Sequence, residues 1–303
     1  MKTKPIYTRS DLDGLLSCAI LKEAGFSGEI EFLNPLDLLG GSGAGREPGL
    51  RVNLPGPVGL RWDRNCWADE PWEPKPATAA AAVLEMLADP ELNRRFLPWL
   101  PELEKWQTRR LTEADILSPT PTLQLAALCD PATGLGRCRD FIVSNYFFLL
   151  DLVDQLRSQP AEVLIRLGDV QDRLALLAER RQAHGEQTRR TLRSFGCLLV
   201  QDLREELRIE PGNPMVRHLS APPHRALLTL YWDKGRRRVS MTLSGAPYEE
   251  PAIPLGALLQ PYGGGGDAYA GLAQLAPDQA DAAVEALKAA LCGQTESNDT
   301  ERS

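Results

Sequence analysis

The sequence predicts an α/β fold in which an N-terminal parallel-sheet domain is joined by a helical connector to a smaller α/β domain with a glycine-rich loop. Three observations predict it. The chain opens on a strand–turn–helix unit. Short strands and helices then alternate across loops. After Phe195 the texture changes to a run of strands closed by one terminal helix. These shifts set the expected boundaries: 1–175 for the first domain, 176–194 for the connector, 195–292 for the second domain and 293–303 for a polar tail.

Taken in order, Ile6-Tyr7-Thr8 ends the first strand and Ser10-Asp11-Leu12-Asp13-Gly14 is an acidic turn. Residues 15–24 read as helix, because Leu16, Ala19, Ile20 and Glu23 are spaced for one and Gly25 stops it. Residues 29–33 form a second strand that runs into Asn34-Pro35. The stretch 39–57 is rich in Gly and Pro and reads mostly as loop, and 58–62 as a short strand ending at Asp63. The alanine run within 78–87 is helical, with Pro76 ahead of it and Asp89-Pro90 just after. Further helices are expected over 99–109, 121–129, 145–157 and 169–193. The last has Leu174, Leu177 and Ala178 as its apolar residues, and its charged second half reads as the solvated face of the connector. In the second domain 197–200, 226–231 and 238–243 read as strands and 279–291 as the final helix. Between them, Tyr262-Gly263-Gly264-Gly265-Gly266-Asp267 is a turn. The tail GQTESNDTERS has nothing to bury and is expected to be disordered.

Composition narrows the function classes. At 303 residues, with 43% hydrophobic and 25% charged residues, the chain can bury two cores. A net charge of -7, from 34 Lys plus Arg against 41 Asp plus Glu, gives no global attraction to nucleic acid, and duplex DNA is not an expected partner. No apolar run is long enough to span a bilayer and the N-terminus lacks a signal-peptide core, so a cytoplasmic protein without membrane contact is the expectation. The six cysteines (Cys18, Cys66, Cys129, Cys138, Cys197 and Cys292) are scattered and read as reduced thiols. Only three histidines occur, so any metal site must be built mainly from carboxylates.

Asp11 and Asp13 follow the first strand, where open α/β sheets place ligands. Two readings compete. The pair can point at one or two divalent cations, or Asp13 can be the N-cap of a helix starting at Leu15. The surrounding residues favour the first. Thr8-Arg9-Ser10-Asp11-Leu12-Asp13-Gly14 resembles the first motif of the DHH phosphoesterase superfamily, in particular its exopolyphosphatase-related branch. Later stretches resemble the same branch in the same order: Asn34-Pro35-Leu36-Asp37, Asn53-Leu54-Pro55, and Val58-Gly59-Leu60-Arg61-Trp62-Asp63. Then come Asp130-Pro131-Ala132-Thr133-Gly134-Leu135-Gly136-Arg137 through Arg139-Asp140-Phe141, Ser144-Asn145-Tyr146, and the glycine run 263–266 with Ala270-Gly271. The resemblance covers most of residues 3–290. It implies two domains with a cleft between them, and a pair of Mn2+ or Mg2+ ions about 3.5–4 Å apart that activate water for phosphodiester or phosphoanhydride hydrolysis. On it, Asp11, Asp13 and Asp63 would be metal ligands. Asp63, Arg64 and Asn65 would occupy the catalytic motif. Arg9, Arg137, Arg139 and the glycines Gly263, Gly264, Gly265 and Gly266 would grip phosphate.

The chain departs from the family pattern at four places. The Asp-His-His motif reads Asp63-Arg64-Asn65, and Arg64 has no lone pair to give a metal. The expected ligand aspartate is Gln107, while Asp115 matches a position outside the metal site. The glycine run closes on Asp267 where the family has histidine, and an expected asparagine–arginine pair is replaced around Tyr248-Glu249. Each change removes a metal ligand or sets negative charge where phosphate should sit. The expectation is a homologue with a degenerate site and little or no catalysis, with metal binding weak, single or absent. Its ligand would be a phosphate-containing small molecule or short oligonucleotide. The alternatives are an active one-metal hydrolase on Asp11, Asp13 and Asp63, with Arg64 as a phosphoryl clamp, and an interaction scaffold; a homodimer stays open. Arg9 is also placed to neutralise Asp11 or Asp63 without metal. Arg236-Arg237-Arg238 reads as plain surface, Trp62, Trp67 and Trp72 as loop packing or base-stacking residues, and His184, His218 and His224 form no metal constellation.

Overall fold

The computed structural model describes residues 3–39, 47–55, 61–62, 66–67, 75–219, 221–233, 235–247 and 250–293, with backbone only for Leu39, Arg61, Trp62 and Trp67. Expectations on Asp63, Arg64, Asn65, Trp72, Tyr248, Glu249 and the tail 294–303 fall outside the described residues. In chain order the elements begin β1 (Ile6–Thr8), α1 (Leu12–Glu23), β2 (Ile30–Phe32), α2 (Pro35–Leu39), β3 (Leu50–Val52), β4 (Arg61–Trp62) and β5 (Cys66–Trp67). Helices follow: α3 (Ala79–Leu87), α4 (Pro90–Phe96), α5 (Leu100–Gln107), α6 (Glu113–Leu117), α7 (Pro121–Cys129), α8 (Asn145–Leu156), α9 (Ala161–Leu164) and α10 (Gly168–Thr191). The remainder is β6 (Leu192–Phe195), β7 (Leu198–Asp202), α11 (Val216–Leu219), β8 (Ala226–Trp232), β9 (Val239–Gly245), α12 (Leu255–Leu259), β10 (Gly265–Gly266), β11 (Ala270–Leu275) and α13 (Ala280–Cys292).

Two compact units interleave along the chain. The first comprises 1–65, 74–184 and 210–216, and the second 66–73, 185–209 and 217–303. In the first, the sheet order is β2-β1-β3-β4 with every pairing parallel, as the alternating strands and helices require. The chain leaves β1 for β2 on one side and returns to β3 on the other, so strand order reverses between β1 and β3. Every residue of α1 from Leu12 to Leu21 is buried, which makes it the central helix of this unit. In the second unit the sheet order is β5-β10-β11-β9-β8-β7-β6, antiparallel except for the β7–β8 pair. Leu198, Leu228, Met241, Ala273 and Leu287 belong to the core that this sheet makes with α12 and α13.

Several expectations need correction. A core strand, β3, lies inside the stretch read as loop, because Leu50 and Val52 bury fully beside β1 despite Gly and Pro on either side. Asp89-Pro90 does follow the alanine-run helix, as expected, but it also opens an unexpected one, α4: Asp89 accepts the amides of Glu91 and Leu92 and Pro90 takes the first helical position. The connector helix stops at Thr191 and passes directly into β6. Its buried residues are Val170, Arg173, Leu176, Gln187 and Thr188, so the charged second half is not solvated all round, while Leu174 and Leu177 are half-buried and Ala178 is exposed. Gly265–Gly266 is a strand paired on both sides, not a turn.

The cysteines also differ from the expectation. Cys197 and Cys292 form a disulfide, Cα atoms 5.6 Å apart, because the β6–β7 turn and the end of α13 meet in the second unit. The other end of α13 is held by Arg204, which donates to both Asp202 and Asp281. Burial pushes the Asp202 carboxyl up, but the hydrogen bonds and charge of Arg204 outweigh it and hold the group below the usual range. No helix among the described residues is long and apolar enough to cross a membrane.

Thiol titration of denatured, unreduced protein is expected to count four cysteines, Cys18, Cys66, Cys129 and Cys138, and six after reduction. A count of six without reductant would refute the pairing. The depressed Asp202 contributes stability above its unfolded value, about 3.9, and loses it as pH falls through the folded value. The stability gap between wild type and Arg204→Met is therefore expected to be flat from neutral pH to about 5 and to shrink below about 4, read by urea titration at each pH.

Candidate functional site

The first unit gathers its chemistry at the carboxyl ends of β1 and β3, where strand order reverses. Parallel register sets Thr8 opposite Val52, so the residues that follow, from Arg9 to Asp13 and Asn53, meet above the sheet. Asp11 is the N-cap of α1, which starts at Leu12, so the capping assignment to Asp13 is corrected. Its Oδ1 accepts the Gly14 amide at 2.9 Å, and the Asn53 side-chain amide donates to Oδ1 and Oδ2 at 3.3 and 3.2 Å. Arg9 Nε lies 3.3 Å from Asp11 Oδ2. Asn53 holds a positive φ of 57°, a conformation Asn tolerates better than most residues. Gly14 has no alternative: a β-carbon there would meet the Arg9 carbonyl oxygen and the Thr8 hydroxyl at 2.4 Å.

Asp13 lies in the first turn of α1 with 0% exposure. Its Oδ2 accepts the Ala79 amide at 2.8 Å and its Oδ1 the Ala80 amide at 2.9 Å. These are the first two residues of α3, so Asp13 caps a second helix from a distance of 66 residues and satisfies donors the helix cannot satisfy itself. Nothing in the local sequence announces this contact; the alanine run signals a helix but not the source of its cap.

Gln107 ends α5 and is buried. Asp115 is occupied in the capping box of α6, accepting from the Thr112 amide and hydroxyl at 2.9 Å, with Lys105 at 3.8 Å. Among the described residues no group of three or more His, Cys, Asp or Glu side chains could hold a metal ion. Burial pushes the nearby Cys18 thiol up to about 12, and burial with the negative charges of Asp11 and Asp130 pushes Cys129 up too, so both favour the neutral thiol.

Arg137 and Arg139 are exposed on the segment that follows α7. It turns at Asp130, whose carboxylate accepts the Ala132 amide and the Trp106 indole N–H. The segment ends at Ser144, which caps α8 through the Phe147 amide. Behind it lies a residue the sequence reading missed. Arg173 of α10 is fully buried, donating to Asn145 Oδ1 at 3.3 Å, the Val143 carbonyl at 2.9 Å and the Asp169 carbonyl at 2.9 Å. Its guanidinium carbon sits 3.8 and 4.3 Å from the ring centroids of Phe148 and Phe141. Burial lowers its pKa, with Asp169 and Asp172 pulling the other way. The signal was its place three residues after Val170 and three before Leu176, a charged side chain on an apolar face.

In the second unit the glycine run is explained by packing. Gly264, Gly265 and Gly266 are buried, and a β-carbon would meet Leu272 O at 2.2 Å from Gly264 and Ala270 O at 2.1 Å from Gly266. The amides of Gly263, Gly264 and Asp267 donate to Gln260, Leu259 and Ala270 carbonyls. Asp267 is buried, and its Oδ1 accepts the Tyr269 and Ala270 amides at 2.6 and 2.8 Å. These amides are thus paired with carbonyls of their own unit. His218 and His224 stack at 5.1 Å and share a hydrogen bond, with no third metal-ligating side chain beside them among the described residues.

Over 96% of this chain and 99% of the other, the structure matches a pGpG-specific phosphodiesterase, PggH from Vibrio cholerae, with a TM-score of 0.66 and 25% identity. The chain shares its fold with a phosphodiesterase. A second solved structure, an uncharacterized protein from Helicobacter pylori G27, covers 90% of this chain and 93% of its own length at 10% identity and a TM-score of 0.23, which is no fold correspondence. No protein-family model and no curated protein matches the chain.

The sign of one stability change separates a capping Asp13 from a metal ligand. Asp13→Asn sets an NH2 group against an amide donor, and is expected to cost about 2 kcal/mol or more in urea denaturation of metal-free protein. A stabilised variant would mean that repulsion from a ligand cluster, not capping, dominates at this position.

Proposed function

We propose that this chain is a member of the DHH superfamily, exopolyphosphatase-related branch, whose metal centre has decayed. It binds a short phosphate-bearing ligand of the linear dinucleotide class without turning it over efficiently. The observation that carries this reading is the state of the two acidic-turn carboxylates. Asp11 is engaged by Gly14, Asn53 and Arg9, and Asp13 is fully buried against two helix amides. A divalent ion would have to displace donors that already neutralise them. Gln107, and in the sequence Arg64, supply no compensating ligand.

The ligand class rests on the PggH match and on the exposed Arg137 and Arg139, whose forked donors suit phosphate oxygens. A net charge of -7 agrees with a small anionic ligand held locally rather than a long polyanion.

The test is calorimetry of Mn2+ and Mg2+ on metal-stripped protein, with pGpG and bis-nitrophenyl phosphate assayed in the same buffers. The expected result is no tight metal site, no metal-dependent turnover, and a melting temperature raised by pGpG. Tight binding of one or two ions with turnover would overturn the reading and make Asp11, Asp13 and Asp63 catalytic. An absent pGpG shift would leave an interaction scaffold. The combined variant Arg64→His, Gln107→Asp, Asp267→His is expected to gain metal affinity where each single reversion gains little, because ligands act as a unit.

A further inference from the structure

Arg173 is the largest fully buried side chain in the described structure, and its cation is costly to place there. Its nearest carboxylate oxygen among its ion pairs, on the half-buried Asp169, is 4.0 Å away. The charge is instead met by two backbone carbonyls, one side-chain carbonyl and two aromatic faces. A methionine of similar length would fill the same slot without that desolvation, so core filling does not explain the guanidinium. Geometry does. Its donors leave in fixed directions and pin separate points: the carbonyl of Val143, the side chain of Asn145 and the turn of α10 at Asp169.

Those points frame one loop. Phe141 and Phe148 flank it, and Ile142 between them is wholly exposed, which a loop resting on its own apolar side chains would not leave so. Asn145 extends the brace: its Nδ2 lies 4.0 Å from where a β-carbon of Gly136 would stand, beside the turn that carries Arg137. We infer that Arg173 is a positioning residue that sets the Arg137–Asn145 segment in one conformation for anion binding. This inference rests on the reading that the segment grips phosphate.

The experiment compares Arg173→Met, Arg173→Lys and Arg137→Ala in the full chain. It reads pGpG affinity by calorimetry and amide hydrogen exchange across residues 141–148. Arg173→Met is expected to weaken pGpG about tenfold by loosening a preorganised loop, and to accelerate exchange at 141–148 while β1, α1 and the second unit keep wild-type protection. Arg173→Lys, with one ammonium in place of the fork, is expected to restore little of either. Arg137→Ala is expected to lose affinity with exchange unchanged. Wild-type affinity in Arg173→Met, or faster exchange spread through β1 and α1, would overturn the inference and leave Arg173 as general stability. Should Arg173→Met not fold, the lysine variant carries the same comparison. If wild-type protein does not bind pGpG, the ligand reading falls on its own, and confinement of the exchange gain to 141–148 still decides whether Arg173 organises the loop.

Discussion

A carboxylate with no exposed surface must find its hydrogen-bond donors inside the protein, and Asp13 finds them in the first two amides of α3. That contact ties α1, the buried central helix, to a helix that begins 66 residues later. It also fixes what the acidic turn can do. Asp11 on the same turn is hydrogen-bonded by Gly14 and Asn53 and lies beside Arg9, at the position where an open α/β sheet usually receives a ligand.

The second unit shows the same economy in its glycines. The run 263–266 looks like a phosphate loop because glycines let backbone amides approach an anion. Here they let one strand enter a crowded sheet between β5 and β11, and the neighbouring amides pair with carbonyls of their own unit. Asp267 closes the run by turning its carboxylate onto the amides of Tyr269 and Ala270. A histidine there could not accept from two backbone amides in that way, so this substitution alters the local wiring as well as the charge.

Much of the fold was legible because it rests on periodic burial. The opening βα unit, the helices near 121–129 and 145–157, and the strands of the second unit all carry apolar spacing that survives short length. What failed was where side chains are silent or punctuation has two meanings. A strand of two glycines has no pattern to read, and Asp-Pro marks a helix start as readily as a stop. The Cys197–Cys292 pair is separated by 95 residues, and nothing local links its members. At the candidate site, Asp11 and Asp13 stood out by type and position, but their partners did not. Asn53 arrives through the β1–β3 register and Arg173 through a helix face, and both are tertiary facts.

The charge balance at the turn bears on the proposed loss of the metal centre. Two carboxylates bring two negative charges. Arg9 supplies one positive charge beside Asp11, and the N-terminal ends of α1 and α3 each present about half a charge toward the carboxylates they hold. Among the described residues the turn is therefore close to neutral without an ion. On the proposed reading an arriving divalent cation would meet little net field and would compete with the amides and the arginine for the carboxylate lone pairs. On that reading, restoring one outlying ligand would leave the balance intact, whereas restoring several at once would add coordination to compete with it. The same bookkeeping predicts that removing Arg9 alone, as Arg9→Gln, raises divalent affinity at Asp11, a change that metal-dependent quenching of intrinsic tryptophan fluorescence by Mn2+ would register. Unchanged quenching in Arg9→Gln would place the barrier in the buried Asp13 cap instead.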